Sequence, residues 1–264
     1  MLALVAGRGG LPLALASALQ RAGRPFHVYA LEGFAPDLPD VTLFRVEALG
    51  RLLRDMRKAG ISEVCFAGAM QRPPVDMAKL HPLSLSLVPR LMKVIGKGDD
   101  RLLREVIAIF EEAGLQVRGA HEVSPDLLAK GALGRQPTEA ERTDAARGAE
   151  ILSALGPLDL GQGCVVAGGL CLGVETLQGT DAMLGFVAET RGGLAKTAGV
   201  FVKRAKPGQD LRIDMPTIGP DTVTAAARAG LSGIAVQEGA VLVLDRDTLS
   251  RRAEEAGIAI WAQP

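Results

Sequence analysis

The chain has 264 residues, 48% hydrophobic and 23% charged, the balance of a folded globular protein and not of a disordered one. Its 30 basic and 30 acidic side chains cancel, so no overall field would hold it on nucleic acid. One Trp and one Tyr leave little aromatic surface for stacking bases. Glycine is abundant, at 32 residues against a usual share of about 7%, which suits an α/β protein whose tight loops present backbone to a polar ligand. Cys65, Cys164 and Cys171 sit in apolar stretches and form no C-x-x-C, a pattern that predicts buried thiols in a reducing compartment. The longest uncharged run, Leu160 to Val174, is 15 residues, short of the roughly 20 needed to span a bilayer. The N-terminus lacks a basic leader, and Arg8 with its neighbouring glycines interrupts the apolar run. A strand, turn and helix describe it better than a signal peptide, and the expected location is cytoplasmic.

Leu2 to Ala6 reads as a buried strand, Gly7-Arg8-Gly9-Gly10 as a tight turn, and Leu11 to Ala22 as a helix closed by Gly23. A second strand, Phe26 to Leu31, follows. Glu47 to Ala59 is amphipathic, with Leu49, Leu52, Leu53 and Met56 on one face and Arg51, Arg54, Arg57 and Lys58 on the other. It leads to the strand Glu63 to Ala67, and this β-α-β-α-β rhythm predicts a parallel sheet with right-handed crossovers. Prolines 73, 74, 82 and 89 exclude a long helix between Gln71 and Gly98. Leu102, Leu103, Val106, Ile107 and Phe110 then form a helical stripe, stopped by Gly114 and followed by a strand from Leu115 to Gly119.

Near residues 130–143 the composition shifts to a linker rich in Gly, Pro and mixed charges. Thr138, three residues before Glu141, predicts a capping box for a helix reaching Leu155. Strands are expected at Gly163 to Ala167, Leu170 to Val174 and Val200 to Arg204. Helices are expected near Asp221 to Ala229 and Asp245 to Ala256, with a hairpin between them and a last strand from Ile258 to Trp261. The fold class is therefore α/β in two lobes, an N-terminal parallel-sheet domain over 1–131 and a mixed α/β domain over 132–264. The second includes the linker and its leading helix, 132–156.

Three places can carry chemistry. Gly7, Gly9 and Gly10 lie between a strand and a helix, where glycine lets backbone approach a phosphate and the helix N-terminus offers unpaired N–H groups. A tight turn without a ligand explains the same residues equally well. Asp99 and Asp100 precede a helix, where an N-cap role is the plain alternative to Mg²⁺ ligation. The densest cluster is in the second half. Glu175 and Asp181 follow a strand, six basic residues but a single acid fall between Arg191 and Arg212, and Asp210, Arg212 and Asp214 alternate. An extended backbone would put these three on one face, where carboxylates and a guanidinium can bind a metal and a phosphate together. Thr217 and Gly219 lead into another helix, a second possible anion site. The alternative is a solvated edge strand held by ion pairs. His27, His81 and His121 form no metal-ligand spacing, and neither a G-x-S-x-G nor a full Walker motif occurs.

The stretches LVAGRGGLP, GAMQRPP, GKGDDRLLR, VETLQGTDA and KRAKPGQDLRIDMPTIGPDTV, in this order and spacing, resemble the cytoplasmic UDP-2,3-diacylglucosamine pyrophosphatases of lipid A biosynthesis. The resemblance spans nearly the whole chain, and QDLRIDMPTIG is its most specific part. It implies a Rossmann-like N-terminal lobe, a C-terminal lobe of its own type, and an active site between them. The implied reaction is Mg²⁺-dependent hydrolysis to UMP and 2,3-diacylglucosamine 1-phosphate (lipid X). It further implies Asp214 as the key catalytic aspartate, with Asp99, Glu175, Asp181 and Asp210 at the family's other acidic positions. Asp210 or Asp99 would complete the Mg²⁺ sphere of Asp214, and Arg212, Lys203 and Lys196 would meet phosphate. The acyl chains need an apolar channel, sought in the 160–174 strands or the Leu80 to Leu91 segment. Size and family are compatible with a homodimer, and a lipid-like product with contact at the inner membrane leaflet. Two other classes fit the glycine turn: a nucleotide-sugar or dinucleotide oxidoreductase, which leaves the acidic cluster unexplained, and a non-catalytic nucleotide-binding module.

Overall fold

A computed structural model describes residues 1–71, 74–95, 99–194 and 197–264, with the side chains of 99 and 100 excepted. The chain divides into two compact units: Met1–Asp126 together with Asp210–Asp214, and Leu127–Gln209 together with Met215–Pro264.

The first unit alternates strand and helix. Its elements are β1 (Leu2–Ala6), α1 (Gly10–Arg21), β2 (Phe26–Leu31), β3 (Val41–Phe44), α2 (Leu49–Lys58), β4 (Glu63–Ala67), α3 (Leu87–Val94), α4 (Asp99–Glu112), β5 (Gln116–Arg118) and the short α5 (Ala120–Val123). The strands form one all-parallel sheet in the order β3-β2-β1-β4-β5. The chain builds outward from β1 to β3, then crosses to lay β4 on the other side of β1. The carboxyl ends of β1 and β4 therefore flank the switch point where α/β sheets open a crevice for ligands. On one face of the sheet Val5, Val64 and Phe66 pack against Leu52, Met56, Ile107 and Phe110, the apolar stripes of α2 and α4. The strand β3 is absent from the sequence reading, because two of its four residues, Thr42 and Leu43, are exposed and its apolar pattern is weak.

Three backbone hydrogen bonds tie the switch point together. The Arg8 N–H donates to Ala69 O at 3.0 Å and the Ala69 N–H to Arg8 O at 2.9 Å, while the Gly7 N–H donates to Ala67 O at 2.7 Å. Approach this close leaves no room for side chains. A Cβ on Gly7 would lie 2.5 Å from Ala69 O, and one on Gly68, whose φ is +89°, would lie 2.6 Å from Arg8 O. Gly68→Ala is therefore expected to cost about 1–3 kcal/mol from backbone strain and overlap. The measurement is a urea titration, in which the midpoint falls while the slope stays unchanged.

The second unit contains β6 (Ala132–Leu133), α6 (Glu139–Leu155), β7 (Gly163–Ala167), β8 (Leu170–Val174), α7 (Gly179–Thr190), β9 (Val200–Lys203), β10 (Thr217–Ile218), α8 (Pro220–Arg228), β11 (Gly233–Gln237), β12 (Leu242–Val243), α9 (Arg246–Ala256) and β13 (Ala259–Gln263). Six strands form a mixed sheet, β6-β13-β11-β9-β7-β8, parallel through β9, β11 and β13 and antiparallel elsewhere. Its central strands alternate between two cores. Val165, Phe201, Ile234 and Ile260 face one, which includes Leu184, Val223 and Leu249 of α7, α8 and α9. Cys164, Val202, Ala235 and Trp261 face the other, against Ala145 and Leu152 of α6. Burial on both faces makes these strands read as continuous apolar runs.

The hairpin expected between α8 and α9 is not formed. β11 pairs in parallel with β9 and β13, whereas β12 pairs with β10 in a separate two-stranded ribbon. The two strands are neighbours in sequence but complete different sheets. The helix α7 is also missing from the sequence reading. Cys65 and Cys164 are buried as expected, and burial pushes both thiols up to about 12, whereas Cys171 on β8 is exposed. Among the described residues no helix is long and apolar enough to cross a membrane.

Candidate active site

The first unit holds a cavity of about 420 Å³ at the carboxyl ends of its strands. Val5 and Phe66 contribute from the sheet, Leu91 from α3, Val106 and Phe110 from α4, and Gly68 to Met70 from the loop after β4. Asp214 is the one ionisable group among the described residues that line it. The lining loop also carries Ala69, whose backbone is paired with Arg8. The cavity thus adjoins the turn that precedes α1.

That turn has the features of an anion site. Gly9, at φ 102°, caps α1 without any side-chain hydrogen bond, and the first turn of the helix holds no acidic residue. Its N–H groups and the positive end of the helix dipole are left for a ligand. Among the described residues beyond its chain neighbours, no atom lies within 4 Å of where a Gly9 Cβ would stand. Arg8 is held alongside, its Nη2 donating to Gly33 O at 2.7 Å and its guanidinium lying 5.5 Å from the Phe34 ring centre. The second expected anion site, at Thr217 and Gly219, differs. α8 carries Asp221 in its first turn, so its dipole already faces a carboxylate, and the Gly219 N–H donates to Thr222 Oγ1.

Asp210, Arg212 and Asp214 are not the extended, single-faced array expected from their alternation. Residues 211–213 form a turn. The Asp210 Oδ1 accepts the Arg212 N–H at 3.1 Å, which closes the turn on itself. The same carboxylate receives the Arg212 Nε at 3.0 Å and Nη2 at 2.7 Å, while Arg212 Nη1 donates to Glu111 Oε1 at 2.8 Å. Arg212's hydrogen bonds hold the Asp210 carboxyl below its ordinary range, against the opposing effect of burial. Asp210 and Arg212 thus satisfy each other and shape the turn, and Ile213 anchors it in the first unit's core beside Asp214.

The remaining expected residues are placed as follows. Lys203 on β9 is 5% exposed, its Nζ donating to Glu175 Oε2 at 2.8 Å and to Thr180 Oγ1 at 2.6 Å. Asp181 is exposed on α7, beside a shallow pocket shared with Asp221 and Arg228. Glu175 and Asp181 belong to the second unit, Asp214 to the first. Lys196 and the Asp99 side chain lie outside the described residues.

Family models described as the LpxI N-terminal domain and the LpxI C-terminal domain match residues 1–127 and 129–261. The chain belongs to the LpxI family. The UDP-2,3-diacylglucosamine pyrophosphatase LpxI of Caulobacter vibrioides is 39% identical over 272 positions, which cover 98% of this chain and 96% of that protein. The LpxI resemblance read from the motifs is therefore established over the full length. Asp210–Asp214 falls within the stretch matched by the LpxI C-terminal domain, yet these residues cluster with the first unit.

The donor set around Asp214 limits how this LpxI chain can hold a metal. Among the described residues no three His, Cys, Asp or Glu side chains form a metal-ligand group. Mg²⁺ is often held by one or two carboxylates completed by substrate phosphate oxygens and water, and Asp214, an oxygen donor in the lining of the cavity, fits that mode. Glu175 and Asp210 each already face a cation within their own unit. Sequence reasoning did not single out Phe66 and Met70 as site residues, and it read the α4 stripe as core. The Leu80 to Leu91 segment does reach the cavity, through Leu91.

Proposed function

We propose that this chain hydrolyses the pyrophosphate bond of UDP-2,3-diacylglucosamine to UMP and lipid X, with Mg²⁺ and within lipid A biosynthesis. One observation carries the reading. An anion-attracting helix N-terminus, a carboxylate and an apolar cavity meet at one end of one sheet. A substrate with a charged diphosphate and acyl chains needs all three.

The chemistry follows from those parts. The diphosphate carries two negative charges that repel an attacking water. The N–H groups at the start of α1 bind phosphoryl oxygens and stabilise the charge that develops in the transition state. Asp214 accepts a hydrogen bond from the attacking water at its carboxylate and aims the water's oxygen at phosphorus. As the new P–O bond forms, the bridging P–O bond breaks and the electron pair leaves on the departing phosphate, while the water's proton passes to the carboxylate. When bound, Mg²⁺ would supply Lewis-acid neutralisation of the phosphoryl oxygens, and Asp214 would be its protein ligand. The apolar cavity removes hydrocarbon from water and holds the substrate against the turn.

The test is UMP release from UDP-2,3-diacylglucosamine by the purified protein. Release with Mg²⁺ that stops on adding EDTA is the expected result. Folded protein that releases no UMP would overturn the assignment. Release that EDTA leaves unchanged would overturn the metal dependence alone.

A further inference from the structure

Among the described residues, the first unit's exposed large apolar side chains other than Leu13 and Leu43 all lie within residues 70–92. The stretch before and along α3 is built with polar groups inward and hydrocarbon outward. The buried Glu47 accepts the Asp76 N–H at Oε1 at 2.8 Å, and its carbonyl oxygen accepts the His81 N–H at 2.9 Å. Ser84, also buried, accepts the Gly50 N–H at 3.0 Å. The residues on either side of it, Leu83 and Leu85, are exposed, Leu85 at 62%. Met77 and Met92 are exposed as well, while Val88 and Leu91 form the inner side of α3. These hydrogen bonds fix a segment that holds four large apolar side chains in water, and such a concentration marks an interaction surface.

We propose that segment 77–92 docks on the surface of an anionic phospholipid bilayer. Met77, Leu83, Leu85 and Met92 enter the boundary between headgroups and acyl chains, and Lys79 and Lys93 meet lipid phosphates. Charge selects this partner. Residues 77–95 include three basic side chains and no acidic one. Arg90 is held by Glu105 and Glu112. Lys93 is exposed on the outer side of α3, and Lys79 pairs with Asp76 on the surface, a kind of pair that holds its lysine weakly. A second copy of the chain packed symmetrically on this face would bring like charges together. The segment also lacks Trp and Tyr, the side chains that most often anchor protein interfaces. The helix α3 presents Leu91 to the cavity, and Met92 with Lys93 to solvent, so docking here brings the cavity to the bilayer. The choice of lipid rests on the pyrophosphatase reading above. Each methylene of a diacylated substrate favours the bilayer about fourfold, so that substrate is met at a membrane surface.

The test is co-sedimentation of the purified full-length protein with phosphatidylglycerol vesicles and with phosphatidylcholine vesicles, without substrate. Wild type is expected to bind the anionic vesicles at least fivefold more tightly than the neutral ones. The double variant Leu83→Glu/Leu85→Glu should weaken that binding at least tenfold, and Lys93→Ala about fivefold. Phe186→Glu, at an exposed apolar position on α7 of the second unit, should bind as wild type does. Urea titration establishes that each variant is folded, and Lys93→Ala carries the test if the double variant is not. No binding by wild type, equal binding to the two kinds of vesicle, or folded segment variants that bind as wild type does would overturn the inference. So would a wild-type dimer in sedimentation velocity without lipid that Leu83→Glu/Leu85→Glu dissociates, since the face would then belong to a second copy. None of these results touches the pyrophosphatase reading. Absence of UMP release from substrate dispersed in detergent micelles overturns that reading instead.

Discussion

Asp214→Asn is expected to lower kcat/KM for UMP release by at least a hundredfold, roughly the loss seen when one group that stabilises a transition state is removed. Asn keeps the shape of Asp but neither accepts a proton nor ligates Mg²⁺ as a carboxylate does. The residue lines the cavity at the end of a turn whose geometry is set by its neighbours. Asp210 accepts the Arg212 N–H and guanidinium, Arg212 reaches on to Glu111, and Ile213 packs into the core. The loss should therefore come from chemistry and not from unfolding. The urea midpoint of Asp214→Asn should stay close to that of wild type, and the fall should appear in kcat more than in KM. A folded Asp214→Asn with wild-type turnover would remove Asp214 from the mechanism. Asp210→Ala, which leaves the carboxylate of Asp214 in place but frees the turn, should lose less.

The second large effect concerns stability and acid. Glu141 is 7% exposed at the start of α6. Its Oε2 accepts the Thr138 N–H at 2.8 Å while Thr138 Oγ1 accepts the Glu141 N–H, and Arg135 grips both carboxylate oxygens at 2.6 and 3.0 Å. Arg135 also donates to Ser232 O and Gly257 O, so one carboxylate ties the α6 cap to the start of β11 and the end of α9. Burial pushes the Glu141 carboxyl upward, but the hydrogen bonds from Arg135, Ser232 and Thr138 outweigh it and hold it at about 2, against an ordinary 4.5. Because the folded value lies below the unfolded one, the group stabilises the fold fully above pH 4.5 and loses that contribution as pH falls from 4.5 toward 2. The shift corresponds to a contribution of about 3 kcal/mol at neutral pH. Glu141→Gln should lower the urea midpoint most near pH 7, with the gap to wild type closing steadily below pH 4.5. A gap that stays constant from neutral to acid pH would show that the charge contributes nothing.

How much of this was legible in the sequence depended on how local each signal is. The Thr138–Glu141 capping box, the α1 boundary at Gly23, and the strands β1, β2, β7 and β8 are written in adjacent residues, and they occur where the spacing placed them. The helix α7 was hidden because Phe186, 57% exposed, and Gly185 interrupt the stripe of Met183, Leu184 and Val187. Alternation at Asp210, Arg212 and Asp214 suggested a strand. A side chain that bonds the backbone two residues on turns the chain instead, and periodicity carries no trace of such a bond. The pairing of β12 with β10, in place of β11, joins residues 25 positions apart in sequence.

The sequence by itself determined the α/β class, the all-parallel character of the first sheet, the capping of α6 and, through its motifs, membership of the LpxI family. Each of these depends on side-chain periodicity, on turn chemistry within a few residues, or on motif spacing. Only the tertiary structure decided that Asp214 joins a cavity built from β1, β4, α3 and α4. It also decided that Asp210 and Arg212 are spent on one turn, and that Lys203 is buried against Glu175. These arrangements come from packing between segments distant along the chain, where burial and the hydrogen bonds needed to offset it select partners that no local pattern names.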